Sequence, residues 1–179
     1  NCPDLVDRFL QRLGWSGEEG VKLTNDTDEG WTAREALAQR CDLRDITPEW
    51  LTWVAQQPTT SEVDREWLHG LLSGDIELDD ADVLDVLQHC ASVQGPASEM
   101  LRFLAPLRPR LYSISSSPLS DPGRVEITVS AVRFGTGTTR HGVCSAFLAD
   151  SDPGAAMRVF VAPNKRFGPP SDGEVPMIM

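Results

Sequence analysis

Arg110, Leu111, Tyr112 and Ser113 place a guanidinium, an apolar side chain, a phenol ring and a hydroxyl at four consecutive positions. Extended backbone turns successive side chains to opposite faces, so Arg110 and Tyr112 share one face and Leu111 takes the other. On that shared face an arginine suited to a diphosphate stands beside a ring suited to packing on a planar group. Ser113 adds a hydroxyl next to the ring. The same residues also suit an edge strand whose polar side chains face water, and the motif alone leaves both readings open.

A second grouping lies in the stretch RHGVCSAFLAD, residues 140–150. Gly142 lets backbone approach a ligand, and Val143, Cys144 and Ser145 then present consecutive N–H groups where a helix begins. Unpaired amides and the helix dipole suit a phosphate or pyrophosphate there. An ordinary serine-capped helix after a glycine-containing loop has the same pattern.

Any anion must be met by such a local cluster, because the chain carries a formal net charge of -11 over 179 residues. That charge argues against a protein that tracks nucleic-acid phosphates or adheres to anionic lipid. With 40% hydrophobic and 24% charged residues, the composition is globular and the chain long enough to bury a core. Cys2, Cys41, Cys90 and Cys144 are widely separated, with no C-x-x-C pair, and read as free thiols of a reducing cytoplasm rather than as metal ligands. His89 beside Cys90 lacks the further ligands of a zinc site, and no metal is expected. The apolar runs are too short to cross a bilayer and the N-terminus lacks a signal-peptide pattern, so the expectation is a soluble cytoplasmic protein.

The elements that would position these groups divide into two parts. Residues 1–108 read as mostly helical, with apolar spacing at Leu5, Val6, Phe9, Leu10 and Leu13, a capping box from Thr32 to Glu35, and starts at Thr47-Pro48 and Ser61. Acids gather at the start of the LDDADVLDVLQHC helix, where the macrodipole favours them, and ASEMLRFLA reads as a last short helix. Trp50, Trp53 and Trp67 read as core rather than as a docking face. From residue 109 the pattern changes to strands: RLYSIS, then VEITVSAVRF with Val125, Ile127 and Val129 alternating with polar residues, then MRVFVAP. Both termini read as cut, with EVPMIM resembling the first strand of a following domain.

In order and spacing, PRLYSISSS, VEITVSAVRF, GVCSAFLAD, VFVAPNKRFGPP and VPMIM resemble the FAD-binding domain of the diflavin reductases, relatives of ferredoxin-NADP reductase. Within that family the PRLYS form looks most like the sulfite reductase flavoprotein branch. The resemblance implies an α+β fold: an antiparallel Greek-key FAD-binding β-barrel, incomplete in this chain, with an inserted all-helical connecting domain. Residues 1–108 would form the helical domain, 109–175 the barrel portion, and 176–179 the start of an NADP-binding domain.

The resemblance also implies roles. Arg110 would meet the pyrophosphate, Leu111 and Tyr112 would lie along the flavin and ribityl chain, and Ser113 would approach the reactive edge of the ring as the catalytic residue. Thr128, Val129 and Ser130 would line the adenosine side, with Phe134 where relatives often carry tyrosine. Gly142, Val143, Cys144 and Ser145 would cradle the pyrophosphate, and Arg44 stands near a position at which sulfite reductase relatives touch the cofactor. The function implied is NADPH-dependent electron transfer through FAD and then FMN, bound in an adjacent domain, to a sulfite reductase haemoprotein. Alternatives are a reductase component serving nitrate reductase or a cytochrome, or a non-catalytic interaction domain that has lost its flavin. As a fragment without FMN and NADP-binding domains, the chain is not expected to be active alone.

Overall fold

A computed structural model describes residues 1–23, 30–135 and 139–164. Helix α1, Pro3–Leu13, starts with a proline in its first turn and buries Val6, Phe9, Leu10 and Leu13. Gly14, in the left-handed region at φ 68°, ends it by donating its N–H to the Gln11 and Leu10 carbonyls. Strands β1, Gly20–Val21, and β2, Trp31–Thr32, pair antiparallel with Gly20 opposite Thr32. Helix α2, Ala33–Gln39, follows with the expected capping box: the Thr32 hydroxyl accepts the Glu35 N–H at 3.2 Å and the Glu35 carboxylate accepts the Thr32 N–H at 3.0 Å.

Helices α3, Pro48–Gln56, and α4, Glu62–Ser73, are capped by Thr47 and Ser61. Helix α5, Val83–His89, begins later than the acid-rich stretch: Asp82 is its cap, Asp85 lies in its first turn, and Asp79 and Asp80 precede it. Helix α6 is shorter than its sequence pattern, covering only Ala97–Met100.

These six helices enclose the core. Phe9, Leu37, Leu43, Trp50, Leu68, Leu84, Leu87 and Met100 are all completely buried, and the cluster runs from Val6 to Leu104. Trp50 and Trp53 belong to it, while Trp67 is partly buried with its ring stacked on His89, centroids 3.7 Å apart. Arg12 crosses the core's edge to close the end of α5, donating to the carbonyls of Leu87 and Cys90 at 2.7 Å each. Burial lowers the pKa of that guanidinium. All four cysteines are free, and burial pushes the Cys41 and Cys90 thiols up to about 12.

Beyond residue 106 the chain departs from its alternating pattern. The stretches expected as strands at 110–115 and 125–134 meet in one antiparallel bridge, Ile114 opposite Ile127, extended by the Ser115 N–H donating to the Glu126 carbonyl at 2.8 Å. Strands β3, Arg133–Phe134, and β4, Arg140–His141, form a second two-stranded ladder, and residues 155–164 carry no regular element. Alternating strands hold only when a neighbouring strand takes their N–H and C=O groups and a second layer covers the apolar face. Leu111 (73% exposed), Val125 (63%) and Val159 (85%) lack such a layer among the described residues. The architecture described is α+β, without a closed barrel among the described residues. Helix α7, Val143–Asp150, follows β4 and contributes the buried Ser145 and Ala146. Residues 136–138 and everything from 165 onward, including the end of VFVAPNKRFGPP and the EVPMIM stretch, lie outside the described residues. No described helix is long and apolar enough to cross a membrane.

Candidate functional site

Among the described residues, ion pairs join the helical part to the second half at two places, and both hold an arginine. At the first, the backbone after α2 pairs with the chain leaving α6: the Asp42 N–H donates to the Ala105 carbonyl at 2.7 Å and the Leu107 N–H to the Arg40 carbonyl at 2.6 Å. This brings Arg110 to Asp42. Its Nη2 donates to Asp42 Oδ2 at 3.2 Å, and its Nη1 donates to the Arg108 carbonyl at 2.8 Å. The Asp42 side chain is nearly buried, at 10% exposed, while the Arg110 side chain is 43% exposed.

At the second place, Arg140 on β4 donates to both carboxylates at the start of α5, through Nη1 to Asp82 and through Nη2 to Asp85 at 2.5 Å. Asp82 and Asp85 also form the capping box of α5, so one pair of carboxylates serves the helix and the ion pair together. Burial, then the neighbouring Asp85 charge, raises the pKa of Asp82. Burial also disfavours the Arg140 guanidinium, but the two carboxylates outweigh it and its pKa is raised.

Between these contacts lie the two motifs singled out from sequence. Cys144 lies near enough to Tyr112 to raise the pKa of its phenol. Residues 32 positions apart in sequence are thereby neighbours, one in the Arg-Leu-Tyr-Ser stretch and the other at the start of α7. Gly142 is the N-cap of α7 and offers no side chain there. Its N–H donates to the Val132 carbonyl at 2.8 Å. Ser145 does not cap the helix: its buried Oγ accepts the Val132 N–H at 3.1 Å.

The glycine is required by this packing, since an added Cβ would stand 2.6 Å from Ser145 Oγ and 3.0 Å from Val132 Cβ. Gly142→Ala is therefore expected to lower stability by about 1–2 kcal/mol, read from the urea midpoint, because the start of α7 must shift away from Val132.

Arg44 lies where the two parts adjoin. Its Cζ sits 4.5 Å from the centroid of the Phe134 ring, and its Nη1 is buried without a hydrogen-bond partner. Arg44 lines a cavity of about 270 Å³ together with Arg8, Asp82, Arg140, His141 and Val143. Asp4, Asp85 and Asp150 line this cavity too, and within it a buried unpaired donor is the kind of orphan that an anion would satisfy. Leu111, Ser113, Thr128 and Ser130 are exposed, and Val129 is half-buried. They stand on the stretch bridged at Ile114 and Ile127, away from the Arg44 cavity lining.

Against known families, the FAD binding domain family matches residues 1–147. The chain belongs to that family. The match takes in the helical part and both motifs. This FAD-binding domain chain is similar over its whole length to the sulfite reductase [NADPH] flavoprotein alpha-component of Bacillus subtilis, at 33% identity, and to that of Mannheimia succiniciproducens, at 35%. It is also similar over its whole length to a nitric oxide synthase of Lymnaea stagnalis, at 31% identity. It spans 30% of the length of each of the two flavoproteins and 18% of the synthase.

Sequence reasoning singled out Arg110 and Arg44 of this FAD-binding domain, but neither Arg140 nor the carboxylates that hold Arg110 and Arg140. Asp42 carried no signal, because a single aspartate between Cys41 and Leu43 looks like any surface acid. Asp82 and Asp85 were legible as a helix start, and their pairing with Arg140 becomes visible only when α5 and β4 adjoin.

Proposed function

We propose that this chain is the FAD-holding part of an NADPH-dependent diflavin reductase, whose electrons pass from NADPH through FAD and FMN to a sulfite reductase haemoprotein in the cytoplasm. The observation that carries the reading is the buried Nη1 of Arg44, which has no hydrogen-bond partner beside a cavity that Val143, the first residue of α7, also lines. The family match and the flavoprotein relatives support it. In this reading residues 1–108 are a helical connecting domain inserted into a Greek-key barrel, residues 109–175 are part of that barrel, and 176–179 begin an NADP-binding domain.

The residues present fit the cofactor. Two of the five N–H donors of Arg110 are taken by Asp42 and the Arg108 carbonyl. Three N–H donors remain on a side chain that is 43% exposed, which suits a diphosphate. The backbone N–H groups of Val143, Cys144 and Ser145 at the start of α7 and the orphaned Nη1 of Arg44 are further donors suited to an anion. Tyr112, half-buried, supplies a ring face, with Leu111 and Ser113 flanking it along the flavin and Ser113 nearest the reacting edge. Thr128, Val129, Ser130 and Phe134 line the adenosine side. Bound FAD would supply hydride acceptance from a nicotinamide and onward transfer of single electrons. The protein's own part is to neutralise the diphosphate on an acidic chain, orient the ring and keep its edge accessible.

The test is flavin content. The purified protein is expected to carry flavin absorbance, or to acquire it and quench flavin fluorescence when FAD is added. A protein that shows no flavin and takes up none would sink the reading.

A further inference from the structure

We propose that Asp42 is the positioning residue for the cofactor arginine: a carboxylate of the helical part that holds the Arg110 guanidinium in place before a diphosphate arrives. This rests on the reading of Arg110 as the diphosphate ligand.

Asp42 is itself held from three sides. Its N–H is bonded to the Ala105 carbonyl at 2.7 Å, its Oδ1 accepts the Arg44 N–H at 3.0 Å, and its Oδ2 accepts Arg110 Nη2 at 3.2 Å. A carboxylate bonded to an amide two residues on cannot swing away without giving up that bond. The Arg108 carbonyl takes Nη1 of the same guanidinium at 2.8 Å, so both terminal nitrogens of Arg110 are held while the side chain stays 43% exposed.

An arginine side chain has many rotamers, and a ligand that must order one loses affinity in doing so. With that ordering done by Asp42, the diphosphate meets a fork already aimed. Asp42 also brings a negative charge near the anion, which opposes binding. The two effects predict opposite outcomes for removal of the side chain, so the sign of the change decides between positioning and competition.

The experiment is titration of flavin-depleted protein with FAD, followed by fluorescence quenching, for Asp42→Ala, Asp42→Asn and Asp42→Ser, each also in an Arg110→Ala background. Positioning predicts that Asp42→Ala weakens FAD binding about tenfold. Asp42→Asn keeps one acceptor oxygen in place of two and turns its NH2 toward the other donor, so its loss is expected to fall between that of the original protein and that of Asp42→Ala. Asp42→Ser retains an acceptor for the Arg44 amide but cannot reach Arg110, so it follows the alanine variant and serves as the test if alanine does not fold. In the Arg110→Ala background, all three substitutions are expected to change affinity less than about twofold.

Tighter binding by Asp42→Ala or Asp42→Ser would overturn positioning in favour of competition. An equal loss in the Arg110→Ala background would overturn it in favour of a merely structural role. If Arg110→Ala weakens FAD binding but no Asp42 variant does, this inference fails while the assignment of Arg110 stands. If Arg110→Ala leaves FAD binding unchanged, the diphosphate assignment fails, and this inference with it.

Discussion

Arg110→Ala is expected to weaken FAD binding by about ten- to a hundredfold. A charge-assisted hydrogen bond contributes roughly 1.5–3 kcal/mol, and each 1.4 kcal/mol is a factor of ten. The effect is large because the chain carries a formal net charge of -11 and has few cations to spare near the site. Arg140 is committed to Asp82 and Asp85, and Arg133 to Asp150.

Arg110→Lys is expected to recover only part of the loss, since an ammonium is a point charge and cannot span two oxygens with a planar fork. Raising the salt concentration should weaken the original protein's binding more than the alanine variant's. Equilibrium titration of flavin-depleted protein at two ionic strengths checks both statements. Equal affinity in the alanine variant and the original would remove Arg110 from the site.

The second large effect concerns Arg140. Arg140→Ala is expected to lower stability by about 3 kcal/mol near pH 7.5, because it leaves two carboxylates without their cation. The Arg140 side chain is 17% exposed and that of Asp82 is 6% exposed, so water cannot replace the lost partner well; Asp85, at 34%, is better solvated. Asp82→Asn is the contrasting variant: asparagine caps a helix about as well as aspartate and Asp85 still pairs with Arg140, but the asparagine NH2 faces Arg140 Nη1, so a smaller loss of about 1–2 kcal/mol is expected.

The pH dependence has a definite sign. The folded-state pKa of Asp82 is raised, first by burial and then by Asp85. The folded protein therefore keeps a proton that the unfolded chain has released, and this contribution to stability is fully present below the unfolded pKa of about 4. It is lost as pH rises through the raised folded value. Arg140 opposes that rise, so its removal moves the folded pKa further up. The destabilisation by Arg140→Ala should thus be greatest near neutrality and shrink as pH falls toward 4. Urea midpoints of the two proteins across that range measure it; a difference independent of pH would show that the carboxylates are not what Arg140 stabilises.

Much of the helical part was legible from residue order. The cap at Thr32 with Glu35, the starts at Thr47-Pro48 and Ser61, and the burial of Trp50 and Trp53 follow from local chemistry, because a helix satisfies its backbone within its own segment and buries the stripe that its spacing defines. The strands were less legible. Val125, Ile127 and Val129 alternate as a strand does, yet only Ile127 takes part in a bridge. A strand's hydrogen bonds belong to its neighbours, and alternation cannot say which neighbour is present. Ser145 shows the same limit on a smaller scale: it reads as a helix cap or a phosphate ligand, and its hydroxyl is taken by the Val132 amide.

The chain's family could be read from residue order alone, because a cation, a ring and a glycine-led helix start keep their types and spacing wherever the fold places them. The partners of those groups could not. Asp42 lies 68 residues from Arg110 and Asp82 lies 58 from Arg140. Each pairing exists because backbone far from the motif brings a carboxylate within hydrogen-bond reach. Distances across a fold are set by how helices and strands pack, and no local pattern encodes which of 27 acidic residues will arrive beside a given arginine.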